Sequence, residues 1–379
     1  MPKKKSAAAA ANTVAAPKQY YSLKNLLATK ATYMMVFGER SNGKTYAILE
    51  ECIKDHFQTG AQIAIIRRFA EDFRGKRGAR LFESLCVNGV IDAWSNGEYN
   101  SVYYYSSRWY FQKKEDGAVV ARAGEPFAYA FSLTNMEHEK GNSYPKVRNI
   151  FFDEFMSRVG YLNDEFVLFM NTISTIVRQR NDVRIFMAGN SVNKSCPYTN
   201  EMGITKFKNM KQGDLDIYTY GSSGLKVAIE YSDTPSKSKP SDIYFAFGNP
   251  KLQMITGKNG GWEIDIYPHC PVKYEKKDIM YTYFIIWEDD ILQCELVTKD
   301  NDMFTYIHRK TTPLKDDDSL VYTTEFSHKY NYRRRINKPT SKAEQVIYSF
   351  YQNEKVFHQD NELGEIIRNY LLFCSSSVK

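Results

Sequence analysis

Two short stretches carry the residue types needed to cleave a phosphoanhydride. Gly38-Glu39-Arg40-Ser41-Asn42-Gly43-Lys44-Thr45 fits the phosphate-loop pattern G-x-x-x-x-G-K-[ST]. Its glycines let the backbone approach closely, so amide N–H groups can surround a polyphosphate at a helix N-terminus. Lys44 would hold the β- and γ-phosphates of ATP, and Thr45 would bind Mg²⁺. Ser41 and Asn42 belong to the same cradle; Arg40 either touches phosphate or points to solvent. The second stretch, Asn149-Ile150-Phe151-Phe152-Asp153-Glu154, is an apolar strand ending in two carboxylates. Asp153 would hold Mg²⁺, directly or through water. Glu154 lies on the opposite side of an extended chain, where it can polarise an attacking water as general base. A kinase or a nucleotide switch does not require that second acid, whereas an additional-strand hydrolase does. The plain alternative is an acidic pair on the surface after a buried strand.

Other residues could complete such a site. Arg178 and Arg180 end a helix that follows the acidic strand. In a ring, an arginine there can reach a neighbour's γ-phosphate, where its planar fork offsets transition-state charge; alternatively it complements the helix dipole. Asn190 closes the next strand and could sense the γ-phosphate through the attacking water, or simply make a turn. Lys140 precedes the acidic strand and could cross a subunit boundary to an anion, or simply lie on the surface. Arg67-Arg68 follow the second strand, with nucleotide, nucleic acid, a neighbouring subunit or plain solvent as partners. The histidines show no ligand spacing, so a metal role for them is not indicated.

The elements that must position these residues alternate. A strand at 33–37 enters the loop and a helix at 45–59 leaves it. A strand at 62–67 and a helix around 78–85 follow. A Tyr-rich hairpin insertion is expected from strands at 102–105, 109–113 and 127–132. The acidic strand 148–153, a helix at 163–177 and a strand at 184–188 complete the alternation. This pattern predicts an α/β fold with a parallel-rich sheet covered on both faces. Residues 203–225 read as mixed helix and loop, and the Ser-, Pro- and Lys-rich stretch 232–242 as an exposed connector. Strands at 262–266, 282–287, 292–298 and 303–308, then helices at 341–351 and 362–373, form a second unit. The expected organisation is a tail (1–19), a phosphate-loop domain (20–200), a lid or linker (201–242) and a C-terminal α/β domain (243–379).

Composition narrows the class. The chain has 379 residues, 43% of them hydrophobic and 15% aromatic, enough to fill two cores. No apolar run approaches ~18 residues, so no membrane span is expected, and the alanine run in the tail is too short for a signal-peptide core. Lys3-Lys4-Lys5 reads as a solvated tail rather than a targeting signal. Net charge is +7, a modest bias compatible with an anionic polymer. Six scattered cysteines without a C-x-x-C pair suggest neither disulfides nor zinc, in keeping with the cytoplasm.

Taken together, the phosphate loop with Arg40, Ile65-Ile66-Arg67-Arg68-Phe69, Glu139-Lys140 through Tyr144-Pro145, Phe151 to Phe155, and Thr175 to Asn190 resemble one family. It is the DNA-packaging ATPases of small tailed bacteriophages, the phi-twenty-nine-like group, related to large terminases. The resemblance covers about residues 20–200. It implies an additional-strand ATPase that forms a ring homo-oligomer, a pentamer, docked on the portal of an empty capsid in the host cytoplasm. Double-stranded DNA would be its cargo; a structural RNA partner is left open. It also implies a C-terminal domain resembling an RNase H-like nuclease. The acids there, Asp289-Asp290, Asp300, Asp302 and Asp316-Asp317-Asp318, do not sit mid-strand as a two-metal nuclease needs, so a degenerate nuclease fold is expected. Lys329 and Arg333-Arg334-Arg335, interleaved with Tyr330 and Tyr332, are its nucleic-acid candidates, a solvated loop being the alternative. Two rival readings are a motor with a live nuclease and an assembly protein that ATP merely switches.

Overall fold

The computed structural model describes residues 20–38, 42–135, 141–157, 161–162, 164–190, 196–233, 267–270, 272–288, 290–315 and 319–375. Several expectations lie outside these residues: the tail 1–19, Arg40, Ser41, Lys140, Asp289, Asp316 to Asp318 and the strand at 262–266.

The first sheet is built from β1 (Tyr33–Gly38), β2 (Gln62–Arg67), β3 (Ser101–Tyr105), β4 (Arg108–Glu115), β5 (Ala118–Arg122), β6 (Ala128–Ser132), β7 (Val147–Asp153), β8 (Arg184–Asn190), β9 (Leu215–Tyr220) and β10 (Leu225–Tyr231). Its order is β3-β4-β6-β2-β7-β8-β1-β10-β9, with β5 on β4. The run from β6 to β10 is parallel. β8 therefore stands between the phosphate-loop strand β1 and the acidic strand β7, the extra strand of the additional-strand class.

The central strands carry continuous apolar runs, with polar residues confined to their ends, because both faces are covered. Alternate side chains feed two cores. Tyr33, Met35 and Phe37 pack with Phe152, Phe169 and Ile173 on one face. Met34 and Val36 pack with Ile48, Leu49 and Phe151 on the other. Helix α6 (Glu165–Val177) covers the first core, joined by α7 (Pro197–Glu201). Helix α2 (Lys44–Thr59) covers the second, with α1 (Lys24–Ala28) and three short helices, α3 (Lys76–Arg80), α4 (Glu83–Val87) and α5 (Val90–Trp94), where one helix was expected.

Two expectations for residues 201–242 are corrected. Residues 203–214 hold a short helical turn (Phe207–Asn209) and loop as expected, but 215–225 form β9 and the start of an antiparallel hairpin. Nor is 201–232 a linker: β10 pairs in parallel with β1 from Tyr33↔Val227 to Phe37↔Tyr231. Ser232 continues that ladder, donating its N–H to Phe37 O at 2.8 Å, and is 1% exposed.

The second sheet holds β11 (Ile279–Trp287), β12 (Asp290–Lys299), β13 (Asp302–Arg309), β14 (Val321–Thr323), β15 (Tyr332–Arg333) and β16 (Val356–His358), in the order β15-β14-β11-β12-β13-β16. β11 to β13 form an antiparallel meander flanked by parallel pairings. Helices α8 (Lys342–Gln352) and α9 (Asn361–Ser375) bury Ile347, Phe350, Leu363, Ile367 and Tyr370 against Tyr283, Ile285, Cys294 and Ile307. Ser341 caps α8 by accepting from Glu344 N, which fixes where the helix begins. All six cysteines are free. Among the described residues no helix is long and apolar enough to cross a membrane.

Candidate nucleotide site

β1 ends at Gly38 and α2 begins at Lys44, so the phosphate loop lies where a parallel strand opens into a helix N-terminus. Gly43 has φ +95°, a conformation that favours glycine. Lys44 is buried and donates to Gly38 O at 3.2 Å and to Asn42 Oδ1 at 3.0 Å. Asn42 in turn donates to Ser232 Oγ at 2.8 Å. A Cβ on Gly38 would fall 1.9 Å from Ser232 Oγ, so this glycine is fixed by the close approach of β10 as well as by phosphate. The loop is tied from a second side: Tyr21 N donates to Asn42 O at 3.0 Å, and the Tyr21 hydroxyl donates to Glu230 Oε2 at 2.6 Å. Burial pushes both the Glu230 carboxyl and the Tyr21 phenol up from their ordinary values. Ser232 and Glu230 escaped the sequence reading because nothing local marks them; their roles come from a strand pairing across almost the whole domain.

Across β8, Thr45 Oγ1 donates to Asp153 Oδ1 at 3.2 Å. A hydroxyl and a carboxylate oxygen so placed are a hard-oxygen pair that suits Mg²⁺. The other oxygen, Asp153 Oδ2, accepts from Arg67 Nη2 at 2.5 Å. Glu154 follows at φ +60° and is exposed. A non-glycine residue held there is sterically costly and persists only when its surroundings over-determine it.

Arg68 supplies that determination. It is buried and grips Glu165 through Nε and Nη2, both at 2.8 Å. Its remaining N–H groups donate to the carbonyls of Glu154 at 3.1 Å and Phe155 at 3.0 Å. Glu165 also accepts from Tyr198 Oη at 2.6 Å and Leu162 N at 2.7 Å. A buried pair whose carboxylate accepts four hydrogen bonds and whose guanidinium donates four is the arrangement in which burial is tolerated. Solvent is therefore excluded as the partner of Arg68, and Arg67 lies on Asp153.

The outlying candidates divide. Asn190 ends β8 in register with Gly38, at the mouth of the loop. Arg178 and Arg180 lie at the opposite edge. Arg180 donates to the carbonyls of Val147 at 2.7 Å, Tyr144 and Pro145 at 3.2 Å, and Ile176 at 3.2 Å, so it ties the end of α6 to the start of β7. Exposed Arg178 donates to Asn142 O at 2.7 Å. From Val147 to Asp153 a strand spans about 20 Å, so neither arginine approaches the phosphate loop of its own chain.

In the second unit the basic stretch makes local contacts. Arg333 donates to Tyr330 O at 2.5 Å and Tyr332 O at 3.0 Å, and pairs with Glu344 at 3.4 Å. Arg334 donates to Thr324 O at 3.0 Å and Arg335 to Cys374 O at 3.3 Å, both guanidinium groups lying over Phe373. Lys329 lies over Tyr332. Arg333 thus reaches the start of α8 and Arg335 the end of α9, while Lys329, Tyr330 and Arg334 stay exposed, as the solvated-loop alternative has it. Asp290 pairs with Arg309, and Asp302 with Lys355. Among the described residues no three His, Cys, Asp or Glu gather as a metal site.

Comparison with known proteins bears on all of this. The family model described as Podovirus DNA encapsidation protein (Gp16) matches residues 17–209. The DNA packaging protein of Bacillus phage B103 is 26% identical over 207 residues, 54% of this chain and 57% of that protein. The DNA packaging protein of Bacillus phage phi29 is 26% identical over 182 residues, 47% and 48% of the two chains. The chain thus spans about half the length of the curated relatives it matches. Among solved structures, the bacteriophage Phi-29 viral genome packaging motor assembly has a TM-score of 0.51 at 20% identity, covering 93% of this chain and 98% of that one. The Phi-28 gp11 DNA packaging motor has 0.50 at 15%, covering 96% and 100%. At these identities the structural likeness speaks for the fold.

Proposed function

The chain belongs to the Podovirus DNA encapsidation protein (Gp16) family, and we propose that it is an ATP-hydrolysing ring motor that drives double-stranded viral DNA into a preformed capsid. The observation that carries this reading is the contact of Thr45 with Asp153 across the inserted strand β8, with Glu154 held exposed beside it. Lys44 and the loop amides hold the phosphates. Thr45 and Asp153 are the groups that would hold Mg²⁺, which when bound neutralises charge on the β- and γ-phosphates. Glu154 takes a proton from the attacking water, and Asn190 orients that water. Arg178, from the adjoining subunit, offsets charge at the γ-phosphate; Arg180 braces it, and Lys140 approaches the same boundary. Ring assembly, as a pentamer, docking on the portal in the host cell and any RNA partner belong to this proposal through the family. The second unit serves DNA or capsid binding, with its paired acids arguing against two-metal cleavage.

The test is the ATPase rate with and without double-stranded DNA. Lys44→Ala abolishes nucleotide binding. Glu154→Gln keeps ATP binding and lowers turnover by roughly a hundredfold or more, because the amide cannot accept the proton. Tight ATP binding by the first variant, or full turnover by the second, overturns the site.

A further inference from the structure

The hairpin insertion presents a sheet face that the hydrolytic site does not use. β3, β4, β5 and β6 place Tyr105, Arg108 and Tyr129 in one cross-strand row, Tyr103 and Tyr110 in the next, and Ser101, Gln112 and Arg122 in a third. Because side chains alternate, these rows share one face, while Trp109 and Phe111 point into the core on the other. The tyrosines pile up: Tyr103 and Tyr110 are stacked at 5.0 Å with 18° between planes. The Arg122 guanidinium lies 4.5 Å over Tyr103, and that of Arg108 lies 5.9 Å over Tyr129. Tyr105 is 69% exposed, and Arg108, Lys114 and Arg122 are exposed.

Charge decides what such a face suits. Neither arginine has a carboxylate partner among the described residues. Glu125, which acts on Tyr129, is itself matched by Lys146 at 2.6 Å. Guanidinium groups stacked on rings and left without carboxylates set positive charge beside flat aromatic surface, which suits an anionic ligand with flat rings. Double-stranded DNA offers a protein phosphates, and its base faces are hidden in the stack. Rings and guanidinium planes in rows at strand spacing, with Arg108 and Arg122 paired to no carboxylate among the described residues, match a strand whose bases are free to stack and whose phosphates lie alongside. We propose that this face, centred on Tyr103, Tyr110, Arg108 and Arg122, binds single-stranded nucleic acid. The inference goes beyond the packaging reading and does not depend on the ATP site.

The experiment measures binding of a fluorescent twelve-nucleotide oligo(dT) to the full chain by anisotropy across a salt series, beside a twenty-base-pair duplex. The expected result is oligo(dT) binding that Tyr103→Ala with Tyr110→Ala weakens on the order of tenfold. Arg108→Gln with Arg122→Gln flattens the log–log salt slope by about 1.4, at ~0.7 per lost phosphate contact on a single strand. Duplex binding and basal ATPase stay unchanged in both. Tyr103→Phe with Tyr110→Phe keeps the rings and retains affinity, so a fold defect in the alanine pair cannot be mistaken for a lost contact. Absence of oligo(dT) binding, undiminished binding by the arginine pair, an equal loss on duplex, or a changed assembly mass overturns the proposal; the last would assign the face to subunit contact.

Discussion

At the residue scale, the carboxylate proposed as general base is held in place by a buried arginine, Arg68. Glu154 sits in a left-handed conformation that costs of order 1–3 kcal/mol when unsupported. Arg68 fixes the carbonyls of Glu154 and Phe155 while bound to buried Glu165. Removing one partner of such a pair strands a buried charge, at roughly 3–5 kcal/mol. Glu165→Gln is therefore expected to lower the unfolding midpoint by several degrees. Arg68→Met with Glu165→Leu removes both charges, so it recovers much of that stability. Turnover stays low in the double variant, because the Glu154 carbonyl has lost its donor while Lys44 still binds ATP. Equal recovery of stability and kcat would show that Arg68 serves only the fold. Sequence reasoning placed Arg68 correctly at the strand end but not in the interior, since its partner lies 97 positions away.

At the scale of elements, what was legible was what is local. The central strands, the long helices and the phosphate loop were expected almost where they stand, because continuous apolar runs and glycine spacing are local signals. The hairpin β9–β10 was missed because its significance is a pairing with β1, almost two hundred positions upstream, and no periodicity announces a partner. The same pairing sets a boundary. Ser232 meets Gly38 and Asn42, and Glu230 meets Tyr21, so a fragment of residues 20–233 should fold and bind ATP whereas 20–200 should not. Matching ATP affinity in both fragments, by fluorescent-nucleotide titration, would put β10 outside the domain. In the second sheet, β16 carries an element-scale pH response. His358 is 6% exposed, its ring against Tyr267, with His269 and Asp360 nearby. Burial pushes it down to about 4. The unfolded chain then binds the proton more readily, so stability is full above pH ~6.5 and falls as pH drops towards 4, by about 3 kcal/mol. His358→Leu should flatten that part of the thermal-unfolding profile; an unchanged slope would assign the response to other groups.

At the scale of the whole molecule, the position of Arg178 bears on the proposed ring. Arg178 stands where α6 ends and β7 begins, bound to Asn142 O, while Lys44, Thr45 and Asp153 gather at the other end of the strands. A strand length of about 20 Å separates the two edges. If Arg178 meets a γ-phosphate at all, that phosphate belongs to another copy. Head-to-tail contact of this kind closes into a ring, each subunit offering one edge to its neighbour's other. The consequence is measurable by complementation. Arg178→Ala and Lys44→Ala subunits are each inactive alone, the first by roughly three orders of magnitude, the usual scale of a lost arginine finger. Mixed in equal amounts, about a quarter of head-to-tail junctions pair an intact Lys44 with an intact Arg178 from the neighbour. Hydrolysis should reappear in proportion, and only at concentrations where native mass measurement finds mixed rings. Should mixed rings form without activity, Arg178 is no trans finger, and the edge it shares with Arg180 is a fastening of α6 to β7. Arg180→Ala distinguishes that case, since it should cost stability through four lost carbonyl contacts while leaving the complementation by intact Arg178 in place.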